Sequence, residues 1–152
     1  MKTALILLSI FSYSLYLQSN DVVSVLKIKL EKDDFTFVEK KNDAKTQIKD
    51  CETNKVLIFE KHIETRYYSK SKKTDVFNPD FKVSILKFES EEIAANNFEK
   101  AKSFLKSDRR FCNGKGPYKL VLKSNSILYF QTRAEMFRAY IDKYGEYIEN
   151  YR

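Results

Sequence analysis

One histidine, two cysteines and a run of interleaved basic and aromatic residues are the side chains of this sequence that could do chemistry. His62 is of the type that most often serves as a general base. A small secreted hydrolase would have to use it. It lies in Lys55 to Ile63 (KVLIFEKHI), where strand alternation places it on the face of Ile58 and Glu60. A lone histidine between Glu60 and Glu64 reads as a surface residue, and no nucleophile stands at a recognisable spacing from it. No G-x-S-x-G, H-E-x-x-H, P-loop or G-x-G-x-x-G occurs. Gly114 and Gly116 are one residue apart, but Pro117 follows and no helix opens there, so they mark a turn. The adjacent acids Asp33-Asp34 and Glu91-Glu92 suit a turn and a helix start. No catalytic residue, metal site or cofactor is assigned.

Cys51 and Cys112 are the only cysteines. Their spacing is too wide for a redox CxxC, and His62 could add one metal ligand at most. In an exported chain they pair as a structural disulfide; in a reducing compartment they would be buried thiols. Export therefore decides their role.

Arg66, Lys70, Lys72 and Lys73 surround Tyr67 and Tyr68 in RYYSKSKK. Stacking tyrosines beside phosphate-binding cations is how single-stranded nucleic acid is held. The plainer reading is a solvated hairpin tip. Arg109 and Arg110, with Lys106, form a second basic cluster where positive charge suits a helix C-terminus. The formal charge of +7 is nearly all a Lys excess. Asn, Ile, Tyr and Phe are also abundant, a bias that an AT-rich genome imposes on any protein. Lys is the poorer residue for bidentate phosphate recognition. A polyanion binder, of nucleic acid or acidic glycan, is thus the alternative reading, with nucleic acid disfavoured. Tyr140, Tyr144, Tyr147 and Tyr151 recur at helical spacing; Tyr144 shares the core-type face, and Tyr147 and Tyr151 are the expected exposed pair.

These residues need elements to position them. Val22 to Leu30 is β-branched and alternating from Val25 on, which predicts a strand. Glu31 to Asp34 is a turn, and Phe35 to Val38 a return strand. Glu39 to Lys55 is polar, either a thin helix or a long loop. Lys55 to Ile63 is a strand, Asn78-Pro79-Asp80 a turn, and Phe81 to Phe88 a strand apolar on both faces and so central. Ser90 caps an amphipathic helix over Glu91 to Lys106. Tyr118 to Lys123 and Ser126 to Gln131 form a hairpin. Thr132 and Glu135 form a capping box for a last helix reaching about Asn150, interrupted by Gly145 at a cost of ~1 kcal/mol or for close packing. The fold class is α+β: a mostly antiparallel sheet with two helices packed on one face, in a C-terminal β-α-β-β-α order.

Residues 1–19 stand apart. Lys2, an apolar run from Ala4 to Leu17 and small Ser19 are the layout of a secretory signal peptide, and the run is short for a membrane span. No cysteine at the cleavage point argues against a lipid anchor. Residues 20–152 then form a single α+β domain, secreted or periplasmic and not membrane-spanning. It is expected to be a non-enzymatic binding or interaction module for a protein or small ligand. Its surface would be the sheet face or the terminal helix, with Tyr67, Tyr68, Tyr147 and Tyr151 as contacts.

Overall fold

Phe81 to Phe88 carries four consecutive buried residues, Val83 to Leu86, a run that only a strand covered on both faces can satisfy. The computed structural model, which describes residues 21–41, 44–73, 77–106, 112–114 and 116–151, places it there. The elements are α1 (Asp21–Lys32), β1 (Phe35–Glu39), β2 (Gln47–Lys49), β3 (Val56–Ile58), β4 (His62–Ser71), β5 (Asp80–Phe88), α2 (Glu91–Lys106), β6 (Tyr118–Lys123), β7 (Ser126–Gln131) and α3 (Arg138–Asn150). A five-stranded sheet runs β1-β4-β5-β7-β6 with every neighbour antiparallel, and β5 is its centre. β2 and β3 form a separate ribbon. The expected leader over 1–19, and Arg109 and Arg110, lie outside the described residues.

The α+β class and the β-α-β-β-α order from β5 onward are as expected. Two helices do share one face, but they are α1 and α3. Their Val25, Leu26, Leu30, Ile141, Tyr144 and Ile148 pack on Phe35, Phe37, Phe81, Val83 and Phe130. On the opposite face α2 and the β2–β3 ribbon enclose Leu86, Phe88, Ile127 and Tyr129. Among the described residues no helix is long and apolar enough to cross a membrane.

Four local expectations need correction. Val22–Leu30 is helix, not strand. Alternation would bury Ile28, yet Ile28 is 66 % exposed while Val25, Leu26 and Leu30 are buried, a spacing of one, then four. The β-branched content biases toward strand, and packing on β1 and α3 overrides it. Lys55–Ile63 is not one strand: Phe59 turns inward, Lys61 adopts φ +52°, and the chain passes from the ribbon to the large sheet. Arg66–Lys73 is not a hairpin tip, because β4 continues to Ser71. The capping box does not form: Thr132 Oγ1 donates to the Asp80 carbonyl at 2.7 Å, and Glu135 pairs with Arg138 after a single 3₁₀ turn.

Other signals hold. Ser90 Oγ accepts the Ile93 N–H at 3.2 Å and starts α2. Gly145 marks a close approach, since a Cβ there would meet Lys119 Cδ at 2.5 Å. Lys119 can thus cross α3 to reach Glu149 at 3.4 Å. Cys51 and Cys112 are disulfide-bonded, with Cα atoms 5.7 Å apart.

Asp33 ties the end of α1 to α3, accepting from Lys29 Nζ (2.8 Å), Lys143 Nζ (2.7 Å) and Tyr144 Oη (3.0 Å). Burial pushes its pKa up, but the bonds from Lys143, Lys29 and Tyr144 outweigh this and bring it from 3.8 to about 2. The unfolded chain therefore takes up this proton first. Asp33 stabilises the fold above about pH 4, and that contribution is lost as pH falls toward about 2. In urea titrations, Asp33→Asn should flatten the decline of stability across this interval. An identical decline in the variant would exclude the role.

Candidate functional site

Strand register decides which side chains can cooperate. It sets His62, Glu64, Arg66, Tyr68 and Lys70 of β4 on one face with Phe88, Leu86, Ser84 and Lys82 of β5. Ile127, Tyr129 and Gln131 of β7 continue the same rows. α2 and the ribbon cover the apolar end, Leu86, Phe88 and Ile127. The other end of the face carries Arg66, Tyr68, Lys82, Ser84 and Gln131 instead. Two adjoining depressions occupy it and share Lys82 and Gln131. The larger, about 520 Å³, is lined also by Tyr68, Asp80, Asn113 and Arg133. The smaller, about 220 Å³, is lined also by Lys40, Lys45, Thr46, Gln47, Arg66 and Ser84.

The wall of this groove is held by covalent and hydrogen bonds. The disulfide joins Cys112 to the turn that follows β2. Asn113 accepts the Lys49 N–H at 2.6 Å and donates to the Lys49 carbonyl at 2.7 Å, a two-point match to β2. Gly116 then lies against the chain at Thr132, where a Cβ would stand 1.7 Å from the carbonyl oxygen. Only glycine fits there.

The floor is a buried polar network. Glu64, with its side chain 7 % exposed, accepts the Thr46 N–H at 2.8 Å, the Thr46 hydroxyl at 2.7 Å and Arg66 Nε at 2.5 Å. Burial raises its pKa, but the Thr46 and Arg66 donors more than offset this and hold the carboxyl below its ordinary value. Thr46 Oγ1 also lies 3.0 Å from Ser84 Oγ and accepts from Arg66 Nη2 at 3.2 Å. One hydroxyl carries one hydrogen, so with that hydrogen on Glu64 the Ser84 hydroxyl is the donor to Thr46. Arg66 is fixed by two partners while part of its guanidinium lines the groove.

Of the residues singled out from sequence, only Arg66 and Tyr68 are brought together in the groove. Tyr67 and Tyr68 face opposite sides of the sheet. Tyr67 stacks on Phe37 (4.6 Å, 14°) against the α1–α3 core. Burial, then the Glu39 charge, push its hydroxyl pKa up. Tyr68 lies in the groove and donates to Asp80 Oδ2 at 3.0 Å. Tyr147 of α3 and Tyr151, just past its end, pair at 6.3 Å on the far side of the sheet, both partly buried. Arg66 belongs to the groove floor, and Lys70, Lys72 and Lys73 are exposed at or past the end of β4.

His62 is not on the surface. Its side chain is fully buried, packed against Phe59 (5.9 Å) and Phe88 (5.7 Å). Neither ring nitrogen has a hydrogen-bond partner, and Glu64 Oε2 is 3.6 Å from Nε2. So enclosed, the ring reaches no substrate. Among the described residues no group of three or more His, Cys, Asp or Glu is arranged to hold a metal.

Sequence reasoning missed Lys40, Lys45, Thr46, Lys82, Ser84 and Gln131. A signal was present in Phe81 to Phe88: on the face of Lys82, Ser84, Leu86 and Phe88 the residues change from polar to apolar midway. That change marks where the helical cover stops. No family model, no curated protein and no solved structure matches this chain, so its site is read from this geometry alone.

Proposed function

We propose that the protein is an exported, non-enzymatic binding module whose ligand occupies the groove on the uncovered half of the sheet. The observation that carries this reading is the half-covered face itself. A rigid sheet presents Arg66, Tyr68, Lys82 and Gln131 between walls fastened by a disulfide and by Asn113. Such a preformed concavity with convergent polar groups is how ligand sites are built. The disulfide supports an oxidising compartment. The buried His62 offers no reacting group, which favours binding over hydrolysis.

A thermal-shift screen of metabolites and oligosaccharides against the oxidised protein tests it. A true ligand should raise the melting temperature of the wild type but not of Lys82→Glu, a change at an exposed position on the groove. The same ligand should still stabilise Tyr151→Ala. Loss of stabilisation in Tyr151→Ala with retention in Lys82→Glu would move the site to α3.

A further inference from the structure

We infer that the smaller depression is a seat for a single oxyanion, the phosphate, sulfate or carboxylate of a small ligand, with Arg66 as its fixed donor. The inference rests on the groove being the ligand site and adds the chemical class. Arg66 carries five N–H donors. Nε is engaged by Glu64 and one N–H of Nη2 by Thr46, leaving the Nη1 pair and one Nη2 hydrogen for a ligand. The side chain is only 20 % exposed, so its orientation is set before any ligand arrives. A guanidinium locked by a carboxylate on one edge presents its other edge to a second oxyanion with little further loss of freedom.

Three lysines line the same depression. The Lys40 N–H donates to the Arg66 carbonyl at 2.7 Å, Lys45 adjoins the Thr46 that holds Glu64, and Lys82 is the diagonal neighbour of Arg66 across β4–β5. Among the described residues none of the three has an ion-pair partner. Of the nearby carboxylates, Glu64 is engaged by Arg66 and Asp80 by Arg133 and Tyr68, which leaves Glu39 alone against the three lysines. The local balance is therefore positive, and it is concentrated by low-dielectric walls. At about 220 Å³ the depression suits a headgroup rather than a polymer. That size matches one headgroup, and the oligonucleotide titration below tests a polymer against it.

The test uses the intact oxidised protein and inorganic phosphate, titrated at constant ionic strength and followed by amide NMR. Saturable shifts should appear at Gln47, Arg66, Lys82 and Gln131 and be absent at Tyr147. The variant with Lys45→Gln and Lys82→Gln changes two exposed residues, so its spectrum should stay folded while phosphate binding weakens by about tenfold. Parallel titrations with sulfate, acetate, a sulfated disaccharide and a deoxyoligonucleotide identify the source of the oxyanion. Equal affinity in the double variant, or no saturable shift in the groove, overturns the oxyanion seat. If a neutral ligand from the thermal screen moves the same amides while phosphate does not, the groove stands and only its chemistry falls. Tighter binding by the oligonucleotide, with shifts spreading along Lys70 to Lys73, replaces the seat with a polymer track.

Discussion

Replacing Cys51 and Cys112 together by serine is expected to lower the free energy of unfolding by about 4 kcal/mol, or about 15 °C in melting temperature. The crosslink spans 61 positions, so in the reduced unfolded state the chain regains the freedom of a long loop. A second effect is local. Without the bond, residues 112–114 are held beside β2 mainly through Asn113, and amide exchange should accelerate there and in β2 before the central strands are affected. Guanidinium denaturation of the oxidised and serine forms measures the first effect, and hydrogen exchange the second. A difference below about 1 kcal/mol would mean that the unfolded chain already keeps these segments together.

Glu64→Ala should cost about 3 kcal/mol, more than Glu64→Gln. Alanine leaves the Arg66 charge without its carboxylate and deprives the Thr46 N–H and hydroxyl of their part-buried acceptor. Glutamine keeps one acceptor oxygen, but its amide nitrogen then faces the Thr46 N–H or the Thr46 hydroxyl and Arg66, so it removes the ion pair and one acceptor. The difference between the two variants measures what the remaining acceptor contributes. They also differ from the wild type in pH response. The native carboxyl titrates below its ordinary value, so its contribution is full above about pH 5 and fades as pH falls through the depressed folded pKa. Urea titrations from pH 6 to pH 3 should show a shallower decline in Glu64→Gln. Equal stability of the alanine and glutamine variants would mean that the acceptor kept by glutamine contributes nothing, and a glutamine variant as stable as the wild type at pH 6 would mean that the ion pair carries no energy.

Much of the scaffold was legible because local and tertiary preferences agree in it. Ser90 followed by two acids starts α2, the uninterrupted apolar run makes β5 central, and two turn residues join β6 to β7. The signal failed where they disagree. Val22, Val23, Val25 and Ile28 favour extended backbone, yet the surface offered by β1 and α3 rewards a helix that buries Leu26 and Leu30. The bend at Phe59–Lys61 was hidden because no glycine or proline announces it; Lys61 itself takes the left-handed conformation. Thr132 looked like a cap but found a better acceptor on β5, 52 positions earlier.

The site was less legible than the scaffold for a related reason. Adjacency in sequence suggested Tyr67 and Tyr68 as partners, whereas a strand sends neighbours to opposite faces. The groove joins Arg66 with Lys40, Lys82 and Gln131, residues drawn from different strands and loops. Only register brings them together. His62 was misplaced because its flanking acids looked like surface, while the bend beside it folds the ring under the ribbon.

The pairing of Asp33 with Tyr144 joins positions 111 apart, and the helices that bear them close one core between them. The first and last helices of the described chain are thus mutual prerequisites. Synthesis delivers α1 early together with Phe35 and Phe37 of β1, but Ile141, Tyr144 and Ile148 arrive only with the final segment. Loop closure over that distance is slow compared with forming the β6–β7 hairpin. Until α3 packs, Leu26 and Leu30 of α1 lack part of the cover they have in the folded chain. The order of the elements along the chain thus ties consolidation of this core to its last segment.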